Sequence, residues 1–167
     1  MIKEATKEPI EVEVRAIRAE DLEDVIRIDA KNSGALRRDY FRLKLAESLD
    51  KTSVRVSLAA VHDRRVVGFL LASVFYGDFG VLEQRANLEA IGVLPELAGQ
   101  GVGRALWRQL ALNLKGMRIE RVETQVDWRE LGLLGFFHQL GFAPASRLCL
   151  ERRLDLEAGE DEERSAG

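Results

Sequence analysis

Cysteine, histidine and proline are scarce in this 167-residue chain, which contains one cysteine, two histidines and three prolines. Cys149 alone cannot form an internal disulfide, and with His62 and His138 it cannot build a zinc cluster from cysteine and histidine only. We predict no metal site and assign these three residues no catalytic role. No apolar run approaches the roughly 18 residues that a membrane-spanning helix needs. The charged residues 1–11 also lack the apolar stretch of a secretory signal. These absences predict a cytoplasmic protein with no membrane partner.

Negative charge is concentrated at the C-terminus. Residues 155–167 carry six acidic residues and one arginine, so the formal net charge of −3 leaves the rest of the chain at about +2. Nucleic-acid-binding proteins usually display a concentrated basic patch, so this balance argues against a nucleic-acid partner. The length and the hydrophobic content of 46% suit one folded domain. We predict an N-terminal tail at 1–10, a domain at 11–154 and a disordered acidic tail at 155–167.

Hydrophobic periodicity predicts an α/β (α+β) fold in the order β-α-α-β-β-β-α-β-α-β-β. Alternating and β-branched runs indicate strands, whereas apolar residues at three- and four-residue spacing indicate amphipathic helices. The predicted strands cover residues 11–17, 54–61, 66–76, 87–94, 121–127, 141–144 and 147–154. The predicted helices cover residues 22–31, 36–50, 101–115 and 130–140. The polar stretch 62–65 is typical of a hairpin turn, and 77–85 is predicted to be a loop.

The most informative segment is IGVLPELAGQGVGRAL at residues 91–106: a strand, a proline, a glycine-rich turn and the start of a helix. A helix N-terminus presents unpaired N–H groups and partial positive charge, and Gly99, Gly101 and Gly103 leave room for an anion to approach. A Rossmann loop would have glycine where Arg104 stands, and a P-loop would need Gly-Lys-Ser/Thr. The segment therefore indicates an anion site of another kind. A tight turn that only permits close helix packing is the alternative.

This segment and FFHQLGF at residues 136–142 resemble the GNAT acetyltransferases, whose signature is a strand, V-x-P, then Q/R-x-x-G-x-G/A. The resemblance covers residues 12–154 and implies acetyl-CoA as co-substrate. It also implies a mixed sheet whose fourth and fifth strands splay apart around the pantetheine arm, with the diphosphate on the loop 98–104. The residues that the resemblance assigns to the cofactor are Ile91, Gly92, Val93, Ala98, Gly99, Gln100, Gly101, Val102, Gly103, Arg104 and Phe137.

Two positions depart from the family pattern. Ala98 stands where the signature opens with arginine or glutamine, which implies weaker binding of CoA. Phe137 stands where a tyrosine often protonates the departing CoA thiolate. Because a thiol has a pKa of about 8.5, the thiolate leaves near neutral pH even with water as its proton source. We expect a slower reaction and not its loss.

Acetyl transfer to an amine with a pKa near 10.4 needs a base or a water chain, because at pH 7 that amine is protonated. Glu89 is the predicted base, since similar enzymes place a glutamate in this strand and a carboxylate in a central strand is unusual. A solvated or ion-paired side chain is the alternative for Glu89, and Glu83 acting through water is a weaker candidate. By resemblance, the backbone N–H of Val93 polarises the acetyl carbonyl.

Three residues are predicted to line the acceptor pocket: Tyr76, Asp127 and Trp128. Core packing or a strand-end anchor is the alternative for Tyr76, and a packed indole is the alternative for Trp128. The loops that would choose the acceptor have no recognisable code, so protein N-termini, lysine side chains, polyamines and small metabolites all stay open. A homodimer stays open as well, because several aromatic side chains could form an exposed patch.

Together these features predict an N-acetyltransferase that moves an acetyl group from acetyl-CoA to a primary amine by direct attack in a ternary complex. Two alternatives come from other functional classes. One is a non-catalytic acyl-CoA sensor or regulatory module of the same fold, favoured by Ala98 and Phe137. The other is a plain nucleotide-binding α/β domain.

Overall fold

The computed structural model describes residues 7–50, 54–76 and 83–154. These residues contain five strands and four α-helices. The strands are β1 (Glu13–Ala16), β2 (Leu58–His62), β3 (Arg65–Tyr76), β4 (Gln84–Val93) and β5 (Arg121–Thr124). The helices are α1 (Leu22–Ser33), α2 (Arg38–Leu49), α3 (Val102–Gly116) and α4 (Leu131–Gln139). In the described part of the chain, no helix has the length and apolarity needed to cross a membrane. The chain divides into two compact units, Met1–Arg129 and Glu130–Gly167.

The first unit is built on one mixed sheet with the strand order β1-β2-β3-β4-β5. The first three pairings are antiparallel, and β4 pairs with β5 in parallel. The β2–β3 hairpin turns at Asp63 and Arg64, whose φ angles of 47° and 62° are both positive, as the two-residue turns that suit twisted strands require. The predicted turn at 62–65 is therefore confirmed, although its outer residues belong to the strands.

Helices cover both faces of this sheet, which explains why most of β3 is buried. On one face α1 and α2 bury Ile28 and Phe41 against Phe69 of β3. On the other face α3 comes so close that a Cβ placed on Gly68 would lie 2.9 Å from Val102 Cγ1. A residue larger than glycine at that position would push α3 off the sheet.

The two strands β4 and β5 are held together at one end only. Their pairing runs from Arg85 opposite Arg121 to Leu88 opposite Thr124, and β4 then continues to Val93. Where the ladder stops, the Thr124 hydroxyl donates to the Leu88 carbonyl at 2.9 Å. The predicted splaying of the fourth and fifth strands is thus confirmed.

The last two predicted strands are wrong. The described residues from 141 to 154 form no strand, and Leu148 and Leu150 are each 88% exposed. Their alternation fits a strand pattern, but a strand also needs a neighbour for its backbone. The described residues of the second unit contain the helix α4 and no strand. Cys149, placed in that strand by the sequence, is exposed.

Several predicted boundaries also shift. The loop predicted at 77–85 gives up its last two residues to β4, and residues 77–82 lie outside the described part of the chain, as does the acidic tail 155–167. Strand β5 ends at Thr124 and not at Asp127, because Asp127 accepts the backbone N–H of Arg129 at 2.9 Å in a local turn.

Candidate active site

The candidate site begins where β4 extends beyond β5. Pairing between them stops five residues before β4 ends. On the opposite edge, Val93 is paired with Gly68, and Leu94 donates its N–H to the Val67 carbonyl at 2.9 Å. Successive residues of an antiparallel strand direct their N–H groups to opposite edges. The N–H of Val93, and that of Ile91 two residues earlier, therefore points to the edge that β5 has left.

The glycine-rich turn follows directly. A short 3-10 turn at Pro95–Leu97 leads to Gly99 and Gly101, whose φ angles are 79° and 87°. A Cβ on Gly99 would meet nothing within 4 Å, which suits the approach of a ligand. A Cβ on Gly101 would lie 3.9 Å from Pro9, which is an ordinary contact, so lack of space does not require glycine here. Glycine is favoured at this position because the backbone is left-handed. Ala98 is exposed and Gln100 is half-buried.

The N-terminus of α3 presents free backbone donors. The first bond of the helix runs from the Ala105 N–H to the Gly101 carbonyl at 2.9 Å. Within the described residues, no hydrogen bond accounts for the N–H groups of Gly101, Val102, Gly103 and Arg104, and no side chain caps the helix. The Val102 side chain is buried, which leaves only its backbone for a ligand.

Charge around this terminus favours an anion. The first turn of α1 carries Glu23 and Asp24, whereas the first turn of α3 carries no acidic residue. Glu96 is the one acid between Leu94 and Arg104 in the sequence, and it is bound by Lys31 from α1. The hydrogen bond from Lys31 lowers the pKa of Glu96. The pair is neutral overall, so it does not offset the positive end of α3.

Packing from α1 fixes the end of β4. The Asn32 amide donates to the carbonyls of Val93 and Ile28, both at 2.9 Å. A Cβ on Gly92 would lie 2.6 Å from Phe69 Cε1, so Gly92 is a packing residue that leaves room for the ring beside β4. Asn32 was not singled out from the sequence, since the predicted helix ends at residue 31, whereas α1 extends to Ser33.

Glu89 lies at a β-bulge in β4. Leu71 pairs with Ala90 and the next residue, Ala72, pairs with Leu88, so Glu89 is the extra residue. Bulges redirect a side chain out of the regular pleat. This irregularity explains how a carboxylate fits into a central strand of the sheet.

Two side chains hold the Glu89 carboxylate. The Ser73 hydroxyl donates to one carboxylate oxygen at 2.6 Å, and Lys44 Nζ lies 3.2 Å from the other. Lys44 also donates to Glu47 at 3.0 Å, and the bonds to Glu47 and Glu89 raise the pKa of Lys44. Glu89 keeps 18% of its side chain exposed. Glu89 is therefore ion-paired, which agrees with the alternative interpretation from the sequence. Its exposed part also leaves it accessible to a ligand. Neither Ser73 nor Lys44 was singled out from the sequence.

Glu83, the weaker candidate base, belongs to a different charge cluster. Its carboxylate lies 3.4 Å from both Arg85 and Arg121. Arg85 is buried and also bonds Glu123 on β5. Glu83 thus takes part in holding the paired ends of β4 and β5 together.

Tyr76 is placed away from Glu89. The register sets Tyr76 beside Gln84, five residues before Glu89, which is about 16 Å along a strand at roughly 3.3 Å per residue. The side chain is 62% exposed, and its hydroxyl accepts a long bond of 3.5 Å from Gln84. The core-packing alternative does not describe this residue.

Asp127 and Trp128 follow β5 after the two strands have parted. Asp127 bonds the Arg129 guanidinium, which lowers the pKa of Asp127. Trp128 is 78% exposed, so the packed-indole alternative is wrong. Both side chains are accessible to a ligand.

Phe137 lies on α4 in the second unit. It is buried, with ring centroids 5.5 Å from Phe136 and 5.0 Å from Phe142. Its neighbour His138 is exposed, as its position on the helix predicts. Phe137 therefore anchors the aromatic packing of its own unit.

Known proteins share this architecture. The chain resembles a transcriptional regulator from Bacillus halodurans C-125 (22% identity, 86% of this chain and 100% of that chain, TM-score 0.70). It also resembles a ribosomal-protein-alanine N-acetyltransferase from Brucella melitensis biovar Abortus 2308 (18% identity, 87% of this chain and 100% of that chain, TM-score 0.69). A third similar structure is the aminoglycoside N-acetyltransferase AAC(6')-Iy in complex with CoA (17% identity, 92% of this chain and 99% of that chain, TM-score 0.73). The sequence model of the acetyltransferase (GNAT) family matches residues 19–142, about three quarters of the chain. The chain therefore belongs to the acetyltransferase (GNAT) family.

Proposed function

We propose that this protein transfers the acetyl group of acetyl-CoA to a primary amine by direct attack in a ternary complex. The observation that carries the proposal is the gap that opens between β4 and β5 immediately before a glycine turn and the uncapped N-terminus of α3. A long ligand with an anionic end and a thin arm suits such a site. CoA has this form, and the similar AAC(6')-Iy structure contains CoA.

The loop 98–104 binds the diphosphate through backbone N–H groups. Support comes from the free donors at the start of α3, the absence of an acid in its first turn and the exposed Arg104. Ala98 supplies no polar side chain, so the backbone and Arg104 carry the binding.

The N–H of Val93 stabilises the acetyl oxygen as negative charge develops on it. A fixed backbone dipole does not have to reorganise during the reaction, which is the basis of oxyanion stabilisation. Asn32 supports this role because it holds the Val93 carbonyl, while Leu94 is bonded to Val67 on the other side. Both contacts hold the peptide between Val93 and Leu94, which adjoins the peptide that carries the Val93 N–H.

Glu89 accepts the proton of the incoming ammonium group, directly or through water. The amine nitrogen then attacks the thioester carbon and the C–S bond breaks. The nitrogen loses its second proton to water to give the amide, and the departing thiolate takes a proton from water, so Glu89 holds the net proton released. Lys44 is an ammonium that already lies against Glu89, so the site accommodates a group with the charge of the acceptor. Glu47 can retain Lys44 when an acceptor displaces it.

The acceptor enters from the side of α2 and the segment after β5, where Asp127 and Trp128 are exposed. Tyr76, at the far end of β3, contacts only an acceptor long enough to reach it. The similar structures are named for action on ribosomal-protein alanine and on aminoglycosides. An acceptor panel should therefore contain peptide α-amines, lysine side chains, polyamines and aminoglycosides.

The test is thiol release from acetyl-CoA in the presence of this panel, with calorimetric titration of CoA. We expect CoA binding and acetylation of at least one amine, with the product identified by its mass. CoA binding without turnover on any amine would favour the non-catalytic sensor, and binding of NAD or ATP without CoA would favour a nucleotide-binding domain.

A further inference from the structure

The segment before β1 lies against the glycine turn. The Ile10 N–H donates to the Gln100 carbonyl at 3.1 Å, and Pro9 faces Gly101. Lys7 Nζ makes a long contact of 3.5 Å with the Glu96 carbonyl. Residues 7–10, which the sequence suggested were tail, thus bond the turn at two points, and Pro9 lies on the side of the turn where a Cβ of residue 101 would stand. We propose that this segment, the N-terminal strap (Lys7–Ile10), positions the turn for binding the CoA diphosphate. This inference rests on the proposed function.

The key contact fixes one peptide plane. In a trans peptide the C=O and N–H bonds point in opposite directions. The bond from Ile10 draws the Gln100 carbonyl towards the strap, so the Gly101 N–H points away from the strap and is left free for a ligand. Ile10 thereby sets the direction of a donor that it does not touch.

This peptide needs an external constraint because residue 101 is glycine. Rotation of the peptide plane between two residues changes ψ of the first and φ of the second. Gly101 has φ at 87°, and glycine is nearly as stable at negative φ. The peptide can therefore flip at little cost and turn its carbonyl towards the anion. The strap selects the orientation that presents N–H.

A second anchor holds the strap in place. The carbonyl of Glu11 lies 2.8 Å from His62 Nδ1 on β2. The Ile10 N–H therefore lies next to a residue that is anchored on the sheet. This anchor restrains the strap next to its bond with the turn.

The variant that tests the proposal is Ile10→Pro, which removes the N–H and keeps an apolar side chain. Ile10→Ala is the matched control, because it keeps the N–H and removes the apolar contact. Each variant is assayed with acetyl-CoA and with acetyl-pantetheine, a truncated donor without the diphosphate. The ratio of the two kcat/KM values from one preparation does not depend on the folded fraction.

We expect Ile10→Pro to lower kcat/KM for acetyl-CoA about tenfold, the size of one lost hydrogen bond to a charged oxygen, and to leave acetyl-pantetheine within about twofold. Ile10→Ala should keep the wild-type ratio. If Ile10→Pro yields no folded protein, deletion of residues 2–10 should give the same change in ratio. A ratio that stays at the wild-type value in Ile10→Pro, whether both activities are kept or both fall equally, overturns the proposal. A wild-type protein that uses neither donor and binds no CoA refutes the proposed function instead.

Discussion

Replacement of Glu89 by glutamine should remove the base and little else. Glutamine has nearly the same size, and its carbonyl oxygen can keep the 2.6 Å bond from Ser73. The change removes the negative charge that faces Lys44. Because the side chain is partly exposed and sits at a bulge, no core packing is lost.

The size of the loss depends on the acceptor. At pH 7.5 only about one in 800 amines with a pKa near 10.4 is neutral. Peptide α-amines have a pKa near 7.8, so about a third of them are neutral at the same pH. General bases contribute typically 10²- to 10⁴-fold. We therefore expect kcat/KM for a lysine-type amine to fall by about 10²–10⁴ in Glu89→Gln, and that for an α-amine to fall far less.

The assay is thiol release from acetyl-CoA at a series of pH values, with the best acceptor of each class. In Glu89→Gln the rate with a lysine-type amine should rise about tenfold per pH unit up to roughly pH 10, so its deficit shrinks as the pH rises. The affinity for CoA should stay at the wild-type value, because Glu89 is not part of the diphosphate loop.

Glu83→Gln is the matched control. Glu83 is also a carboxylate at β4, but it faces Arg85 and Arg121. We expect its kcat/KM to stay within about threefold of wild type, in the range of an ordinary surface charge change. Activity of Glu89→Gln within about threefold of wild type with a lysine-type amine would refute the assignment of the base, and an equal loss in Glu83→Gln would transfer the role to Glu83.

Two further predictions concern stability and the turn. Burial raises the pKa of Asp21, but the hydrogen bonds from Arg15 and from the Arg18 backbone outweigh it, and the pKa lies below the ordinary 3.8. The stabilisation from Asp21 is therefore complete above pH 3.8 and lost as the pH falls through the lower, folded-state value. Asp21→Asn should cost about 1–3 kcal/mol at pH 7 in urea denaturation, and this cost should shrink as the pH falls below 3.8; a deficit that does not depend on pH would contradict this. Gly101→Ala and Gly34→Ala both place a side chain at positive φ and should each cost about 1–2 kcal/mol by thermal denaturation. Only Gly101→Ala should also weaken CoA binding, by about tenfold, and equal affinities in the two variants would show that the turn is not the binding element.

Local sequence patterns predicted the elements that depend on local chemistry. Helix α1 ends at Gly34, where φ is 71°, and the turn before α3 uses Gly101 at φ 87°; both follow from glycine's freedom to adopt left-handed backbone. The first nine elements occur in the predicted order. The position of the glycine turn after a buried strand was enough to locate the candidate site.

Contacts between distant residues could not be predicted. Asn32 reaches Val93 across 61 residues, and Ser73 reaches Glu89 across 16. Neither contact leaves a trace in periodicity or spacing. The bulge at Glu89 depends on how β3 and β4 are registered, which the sequence of β4 alone does not determine. For the same reason, the alternation at 147–154 suggested a strand although the described residues supply no partner for it.

The central claim is that backbone N–H groups of residues 98–104 bind the diphosphate of CoA. Titration of 15N-labelled protein with CoA, followed by amide NMR, tests it most directly. We expect saturable shifts of the Gly99, Gly101, Gly103 and Arg104 amides, with Gly34 as an unaffected reference. Saturable binding of CoA that leaves these amides unmoved, or no binding at millimolar CoA, would contradict it.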